Sequence, residues 1–477
     1  MPTNESPDTR ANILLLFAEQ HRGDCLSCAG HPVLLTPNMD AIGDAGTRFR
    51  RAYTSCPICV PARRSLISGQ FPDTHGVRNN TRAEWDIEHT LAGVLRDAGY
   101  QTGWVGRSMH QYPVRKRFGF EEVALFDPVG KDDDYQEYLS RNMPEGGGGY
   151  FGTGVMHNDW TARPFHLPEE LHTTNWTIHE AQRFLDRRDP TRPFCLVVSF
   201  LAAHPPLVPP AFYLDRYLRT GVPERHIGDW ATRPERYEVG RGGTARVDLQ
   251  GEALRSARAG YYGLINHLDD QIHRLMSGIR GQGGVDLKNT IVMYTADHGE
   301  LLGDHYRWRK QFPYEGAARI PFLASVPEPF GGVPGQISDF PVCLEDVMPT
   351  LLELVGVDMP AGVEGTSLAG ILKGGPPPAR PHLRLQCAPL HQTLTDGNEK
   401  YIWFTANGRE QFFRLTEDPG ELHDLAGKPE EAERLAFWRG ELIRELADSP
   451  DGFSDGRKLI PGRPFPGKVP SRKQGLR

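Results

Sequence analysis

Three short polar groups in this sequence each follow an apolar run. They are Glu19-Gln20 after residues 12–18, His204 after residues 194–200, and Asp297-His298 after residues 290–295. Polar groups at the carboxyl ends of strands are placed to bind a ligand, because ligands in open α/β sheets gather there. A second chemistry competes for attention. Cys25-x2-Cys28 and Cys56-x2-Cys59 have the spacing of a structural zinc site, which would make the chain a zinc-stabilised binding protein. Context argues against zinc. The first pair sits just after a polar strand end, and the second runs directly into Pro61-Ala62-Arg63-Arg64-Ser65-Leu66. Cys25, Cys28 and Cys56 read instead as buried, inert thiols.

The elements that must position these groups alternate. A continuous apolar run over 12–18 has the pattern of a strand buried on both faces. Residues 90–98 read as an amphipathic helix closed by Gly99, and 102–105 as the next strand. The series continues with a helix over 176–187, a strand over 194–200, a helix over 254–276 and a strand over 290–295. Such alternation predicts a mostly parallel sheet with helices on both faces. Gly374-Gly375-Pro376-Pro377-Pro378 marks a linker, placed at 374–381, between a main domain of residues 1–373 and an α+β subdomain of residues 382–450. In the subdomain, strands are expected at 383–387, 400–405 and 411–415 and a helix at 429–446. Residues 451–477, rich in Pro, Gly and basic side chains, read as an extended arm or disordered tail.

With 477 residues and a net charge of -7, the chain has no general attraction for nucleic acid or anionic membrane. An anionic substrate would need a local cluster of cations. No stretch approaches the roughly 20 apolar residues of a membrane span. The seven cysteines, together with a first apolar run too short for a signal sequence, point to a cytoplasmic protein.

Cys59-Val60-Pro61-Ala62-Arg63 matches C-x-P-x-R, and it lies within a longer series of motifs. Thr36-Pro37-Asn38-Met39-Asp40 precedes it, while Ser65-Leu66-Ile67-Ser68-Gly69 and His75-Gly76-Val77 follow. Downstream stand Tyr294 to Glu300, Gly303-Asp304-His305, Asp346 to Leu352 and Asp418-Pro419-Gly420-Glu421. On these motifs the chain resembles the sulfatase family over nearly its whole length up to the tail. The resemblance implies a three-layer α/β sandwich of the alkaline-phosphatase type with a small C-terminal α+β subdomain. It also implies that Cys59 is oxidised by a formylglycine-generating maturation enzyme and that the hydrated aldehyde attacks the sulfur of a sulfate ester.

The same resemblance assigns the remaining roles. Glu19, Gln20, Asp297 and His298 correspond to the ligands of one divalent ion, and such a donor set suits Ca²⁺, Mn²⁺ or Mg²⁺. The family generally has Asp where this chain has Glu19, whose longer reach bears on geometry and metal preference. Arg63 falls one helical turn after Cys59, within reach of the nucleophile and nearby charge. Lys310 matches a sulfate-binding lysine, and His204 a histidine near the leaving-group oxygen. Gly106-Arg107-Ser108-Met109-His110 resembles a Gly-Lys-x-His element, with Arg in place of Lys and the His one residue later. His110 is the candidate base of the second step. Asn80 corresponds to a substrate-touching asparagine in relatives that hydrolyse phosphonate monoesters, and hydrolysis of phosphonate monoesters or phosphodiesters is the nearest alternative activity. The expected substrate is a small-molecule or saccharide sulfate, and a homo-oligomer is compatible with this reading.

Overall fold

The computed structural model describes residues 10–128, 133–239, 245–281 and 287–471. Its central feature grows from the first apolar run. The strand Asn12–Glu19 has no exposed position and is flanked in parallel by Phe194–Ala203 and Thr290–Ala296. Around it an eight-stranded sheet runs in the order Gln336–Ser338, Thr47–Phe49, Phe322–Ser325, Thr290–Ala296, Asn12–Glu19, Phe194–Ala203, Gln101–Arg107, Glu122–Phe126. Only Phe322–Ser325 runs antiparallel to its neighbours. Helix Thr173–Arg187 packs on Gln101–Arg107 and Phe194–Ala203, and Pro37–Asp44 packs on the other half of the sheet. The protein is a three-layer α/β sandwich with a mostly parallel sheet. Among the described residues no helix is long and apolar enough to cross a membrane.

The C-terminal sheet has four antiparallel strands, one more than the apolar pattern predicts. The additional strand, His391–Thr395, is buried throughout yet mostly polar. Its side chains find partners instead of apolar neighbours: Gln392 Nε2 donates to Gln386 Oε1 at 3.0 Å, and Thr395 Oγ1 donates to Glu399 O at 2.7 Å. Helix Ala432–Glu445 covers the sheet through Leu435, Trp438 and Leu442. The opposite contact is made with residues 301–317, where Leu301, Tyr314 and Ala317 share a cluster with Ile402, Phe413 and Leu415.

Of the two readings of residues 451–477, an extended arm or a disordered tail, residues 451–471 take the form of an arm packed on the protein. Phe453 and Phe465 are buried in the C-terminal core. Farther on, Arg78 N donates to Gly467 O at 2.8 Å, and Val469 N donates to Gly76 O at 2.9 Å. Two aromatic side chains and these backbone bonds dock the arm, so its sparse apolar content is enough to order it. The last six positions, 472–477, lie outside the described residues.

Candidate active site

The site forms where the central strands end. A register shift between Ala18 and Glu19 brings Glu19 opposite Ala203, at the close of the neighbouring strand. Gln20 then adopts φ +67, a left-handed conformation uncommon outside glycine. Two hydrogen bonds hold it there: Gln20 N donates to Asp297 Oδ1 at 2.9 Å, and Tyr261 Oη donates to Gln20 O at 2.7 Å. Asp297 thereby links the first strand to the start of the Asp297-His298 loop. On the other side Gly106, with φ +96, delivers Arg107. A Cβ at Gly106 would lie 2.0 Å from Ser199 O, so only glycine allows this approach.

Cys59 opens the helix Cys59–Ser68, all ten of whose residues are buried. Pro61 is tolerated in the first turn, where its missing N–H has no intrahelical partner to lose. Gly69 ends the helix with φ +64. The helix N-terminus favours negative charge at position 59. Asn80 Oδ1 accepts from Val60 N at 3.0 Å, so Asn80, itself exposed, serves as a cap for this helix.

Around Cys59 the side chains converge. Lys310 Nζ lies 2.9 Å from Cys59 Sγ and 2.8 Å from Gln20 Oε1, and donates to both. His298 Nε2 stands 3.4 Å from the same sulfur. Arg63 bridges the two carboxylates, with Nη2 3.4 Å from Glu19 Oε2 and Nε 3.4 Å from Asp297 Oδ2. Its third nitrogen, Nη1, donates to Ser199 Oγ at 3.1 Å. Arg107 Nε donates to Glu19 Oε2, and its Nη2 lies 3.1 Å from His110 Nε2. His110 Nε2 and His204 Nε2 are 3.8 and 3.9 Å from Glu19 Oε1. Every catalytic or metal candidate named from the sequence is therefore in one cluster, with Asn80 at its edge.

The electrostatics derive from burial and this ring of cations. Burial raises the Glu19 carboxyl, but Arg107, His204 and Arg63 outweigh it and hold it well below its usual range. Burial raises Asp297, against the pull of Arg63. Burial pushes the Cys59 thiol up to about 12 despite Lys310, so an unmodified cysteine here is protonated at neutral pH. Burial and then Lys310 hold His204 well below its ordinary value. Its Nδ1 lies 2.6 Å from Pro205 O, a contact in which only the imidazole N–H can be the donor, so Nε2 carries the lone pair. His110 Nε2 is likewise an acceptor, because the guanidinium facing it can only donate.

The residues fit a divalent cation. Glu19 Oε1 and Asp297 Oδ2 are buried without a hydrogen-bond partner, a costly state that an added cation would relieve. Cys59, Asp297 and His298 present donor atoms within 4.8 Å of one another, as do Glu19, Cys59 and His110. The two CxxC pairs do not come together as a zinc site. Of their four cysteines only Cys59 belongs to a group with metal-ligand geometry among the described residues, and its companions there are carboxylates and imidazoles.

Four contributors were not singled out from the sequence. Glu300 accepts from the Gln20 side-chain amide, and also from Leu302 N at 2.9 Å, so it orients a candidate ligand. Ser199 positions Arg63, and Asp127 lies 3.2 Å from Arg107 Nη1. His157 stacks on His204 with ring centroids 4.7 Å apart. Glu300 stands inside the Tyr294–Glu300 motif and was detectable there. Ser199 faces the site from mid-strand, and His157 comes from a segment with no motif.

Comparison with known proteins finds relatives over nearly the whole chain. Residues 11–357 match the family described as sulfatase, and residues 303–447 match the C-terminal region of N-sulphoglucosamine sulphohydrolase. An arylsulfatase from Clostridium perfringens is 36% identical, covering 95% of this chain and 98% of its own. Among solved structures, a phosphonate monoester hydrolase from Agrobacterium radiobacter superposes with a TM-score of 0.78 at 24% identity, over 92% of this chain and 96% of that one. A protein solved with its substrate D-glucosamine-2-N,6-O-disulfate superposes with a TM-score of 0.74 at 21% identity, over 94% of this chain and 100% of that one.

Proposed function

The chain belongs to the sulfatase family and is a sulfuric ester hydrolase, and from that premise we propose that it acts through a formylglycine made from Cys59 beside one divalent ion held by Glu19, Gln20, Asp297 and His298. The observation that carries this reading is the setting of Cys59 Sγ. It lies at a helix N-terminus between Lys310 and His298, beside two carboxylates that each keep a buried oxygen without a hydrogen bond. A protonated thiol there is a poor nucleophile, which supports conversion of the side chain by a maturation enzyme. Formylglycine supplies a geminal diol, one hydroxyl to attack sulfur and a second whose deprotonation expels sulfate. The cation, Mn²⁺, Ca²⁺ or Mg²⁺, supplies charge neutralisation of the ester oxygens.

The remaining work falls to the chain's own side chains. Lys310, Arg63 and Arg107 surround the reacting position with fixed positive charge, and their hydrogen bonds are set before substrate arrives. Lys310 binds sulfate oxygens. His204 faces the leaving group with Nε2, and its Nδ1 contact to Pro205 O stabilises the ring when Nε2 takes up a proton. Burial and Lys310 disfavour that proton, and the negative charge of a bound substrate favours it, bringing His204 into its acidic form. His110, its Nε2 lone pair defined by Arg107, removes the proton in the second step.

A sulfate ester of a saccharide or small aryl alcohol is the substrate class this reading favours. The relative named arylsulfatase is similar over nearly the full chain, whereas the phosphonate monoester hydrolase bears on the fold alone. The test has two parts. In protein made with a maturation enzyme, mass spectrometry of the peptide spanning Cys59 is expected to show formylglycine, and Cys59→Ala to fold without turnover. Aryl sulfate is expected to be hydrolysed faster than matched aryl phosphonate and phosphodiester. Full activity in Cys59→Ala, or preference for the phosphonate, would overturn the reading.

A further inference from the structure

Arg64 sits next to Arg63 on the nucleophile helix but points elsewhere. It is 2% exposed and pairs with no carboxylate among the described residues. Its guanidinium lies 4.7 Å from the Trp85 ring and 4.8 Å from the Phe118 ring. Nη1 donates to Met109 O and Nη2 to His110 O, both at 3.0 Å, while Nε has no partner. A buried cation without a counter-charge costs more than an apolar side chain of similar volume. Packing between two aromatic rings therefore does not account for an arginine here.

What the fork holds is the backbone of His110. That residue has φ +52, the left-handed region, which is unfavourable for a residue with a Cβ. This conformation turns the imidazole so that Nε2 reaches Arg107 at 3.1 Å and Glu19 at 3.8 Å. Two donors of one rigid plane, fixed to the carbonyls on either side of the His110 Cα, define the position of the His110 backbone relative to the helix that carries Cys59. A lysine, with a single nitrogen on a flexible stem, cannot span both carbonyls in that way.

We propose that Arg64 is a positioning residue that locks His110 to the nucleophile helix and so sets the geometry of the second step, sulfate release. This rests on the reading of His110 as the base of that step. Arg64 touches no reacting atom. Its effect is carried through the His110 backbone.

The experiment compares Arg64→Lys, Arg64→Met, His110→Ala and the Arg64→Lys/His110→Ala double variant. All are produced with the maturation enzyme, rates are normalised to measured formylglycine content, and folding is monitored by thermal melting. With 4-nitrophenyl sulfate in stopped flow, Arg64→Lys is expected to keep a rapid burst of nitrophenol and then turn over at least ~10-fold more slowly. kcat and KM should fall together, leaving kcat/KM near its original value. The double variant should be no slower than His110→Ala, because both changes remove the same function. Independent of kinetics, the imidazole resonances of His110, assigned by their loss in His110→Ala, should shift in Arg64→Lys and Arg64→Met. Multiplying losses in the double variant, a fall in kcat/KM without a burst, or unshifted His110 resonances would each overturn the proposal. If His110→Ala retains full kcat, the base reading fails, while the resonance shift still decides whether Arg64 positions His110.

Discussion

Two buried clusters in this protein are assembled from the same parts, a cation lodged between two carboxylates. In the proposed catalytic cluster Arg63 stands 3.4 Å from both Glu19 and Asp297. Where the C-terminal sheet meets residues 301–317, Lys400 Nζ lies 2.8 Å from Glu315 Oε1 and 2.9 Å from Glu421 Oε1. The second cluster is closed. The ammonium donates its third proton to Pro313 O at 2.7 Å, and Glu421 Oε2 accepts from Glu315 N at 2.7 Å. Burial depresses the Lys400 pKa, but the two carboxylates outweigh it and keep it charged. The proposed catalytic cluster is open, since Glu19 Oε1 and Asp297 Oδ2 have ion-pair neighbours but no hydrogen bond. Desolvation is offset within the fold in one case and left standing in the other. A closed cluster holds structure together, and an open one is prepared to take up a ligand.

The largest expected effect comes from taking the open cluster apart. Asp297→Ala is expected to bind Mn²⁺ or Ca²⁺ poorly by calorimetry and to lose activity by ~10³-fold or more, since several kcal/mol of charge stabilisation goes with the ligand. Its melting temperature without metal should fall as well, because Gln20 N and His298 N lose their acceptor and Arg63 loses one counter-charge, so metal content and rate are read per folded protein. Normal metal content and rate in this variant would place the metal elsewhere.

Lys400→Met should cost stability alone. Leaving Glu315 and Glu421 buried without their cation is expected to cost ~3–5 kcal/mol in urea unfolding. kcat of the folded enzyme should stay near that of the parent. A loss of turnover at unchanged stability would break the distinction between the clusters.

His204→Ala sharpens the comparison within the open cluster. General acid help matters most for a basic leaving group, so an alkyl or sugar sulfate should slow by ~10²-fold or more while nitrophenyl sulfate slows little. Equal slowing of both esters would make His204 a positioning residue. The smallest effect is expected at the rim. Asn80→Ala removes the cap on Val60 N and should cost ~1 kcal/mol of stability. A rise in KM without that loss would assign Asn80 to substrate instead.

The open cluster was legible in the sequence and the closed one was not. Glu19, Gln20, Asp297 and His298 follow apolar strands, and the parallel sheet brings strand ends to one edge, so order along the chain translates into proximity. Cys59, which opens a helix and follows no strand, was reached instead through the resemblance that its motif carries. Lys400, Glu315 and Glu421 come from three segments without a shared pattern. They meet only because the C-terminal sheet packs on the 301–317 region through Ile402 and Phe413. The strand His391–Thr395 leaves no trace in the apolar pattern because its burial is offset by hydrogen bonds, and periodicity of apolar residues cannot report that.

By itself, then, the sequence determined the alternating α/β architecture and the residue types gathered at the strand ends. Both depend on local pattern, the length and continuity of apolar runs and the polar residues that close them. Tertiary structure alone decided the orientation of each group. The register shift at Glu19, the left-handed turns at Gln20 and His110, and the hold of Arg64 on the His110 backbone arise from contacts between distant segments. Hydrogen-bond satisfaction is likewise a property of the folded whole. Which buried oxygens were left without a hydrogen bond could be settled only once every neighbour was in place.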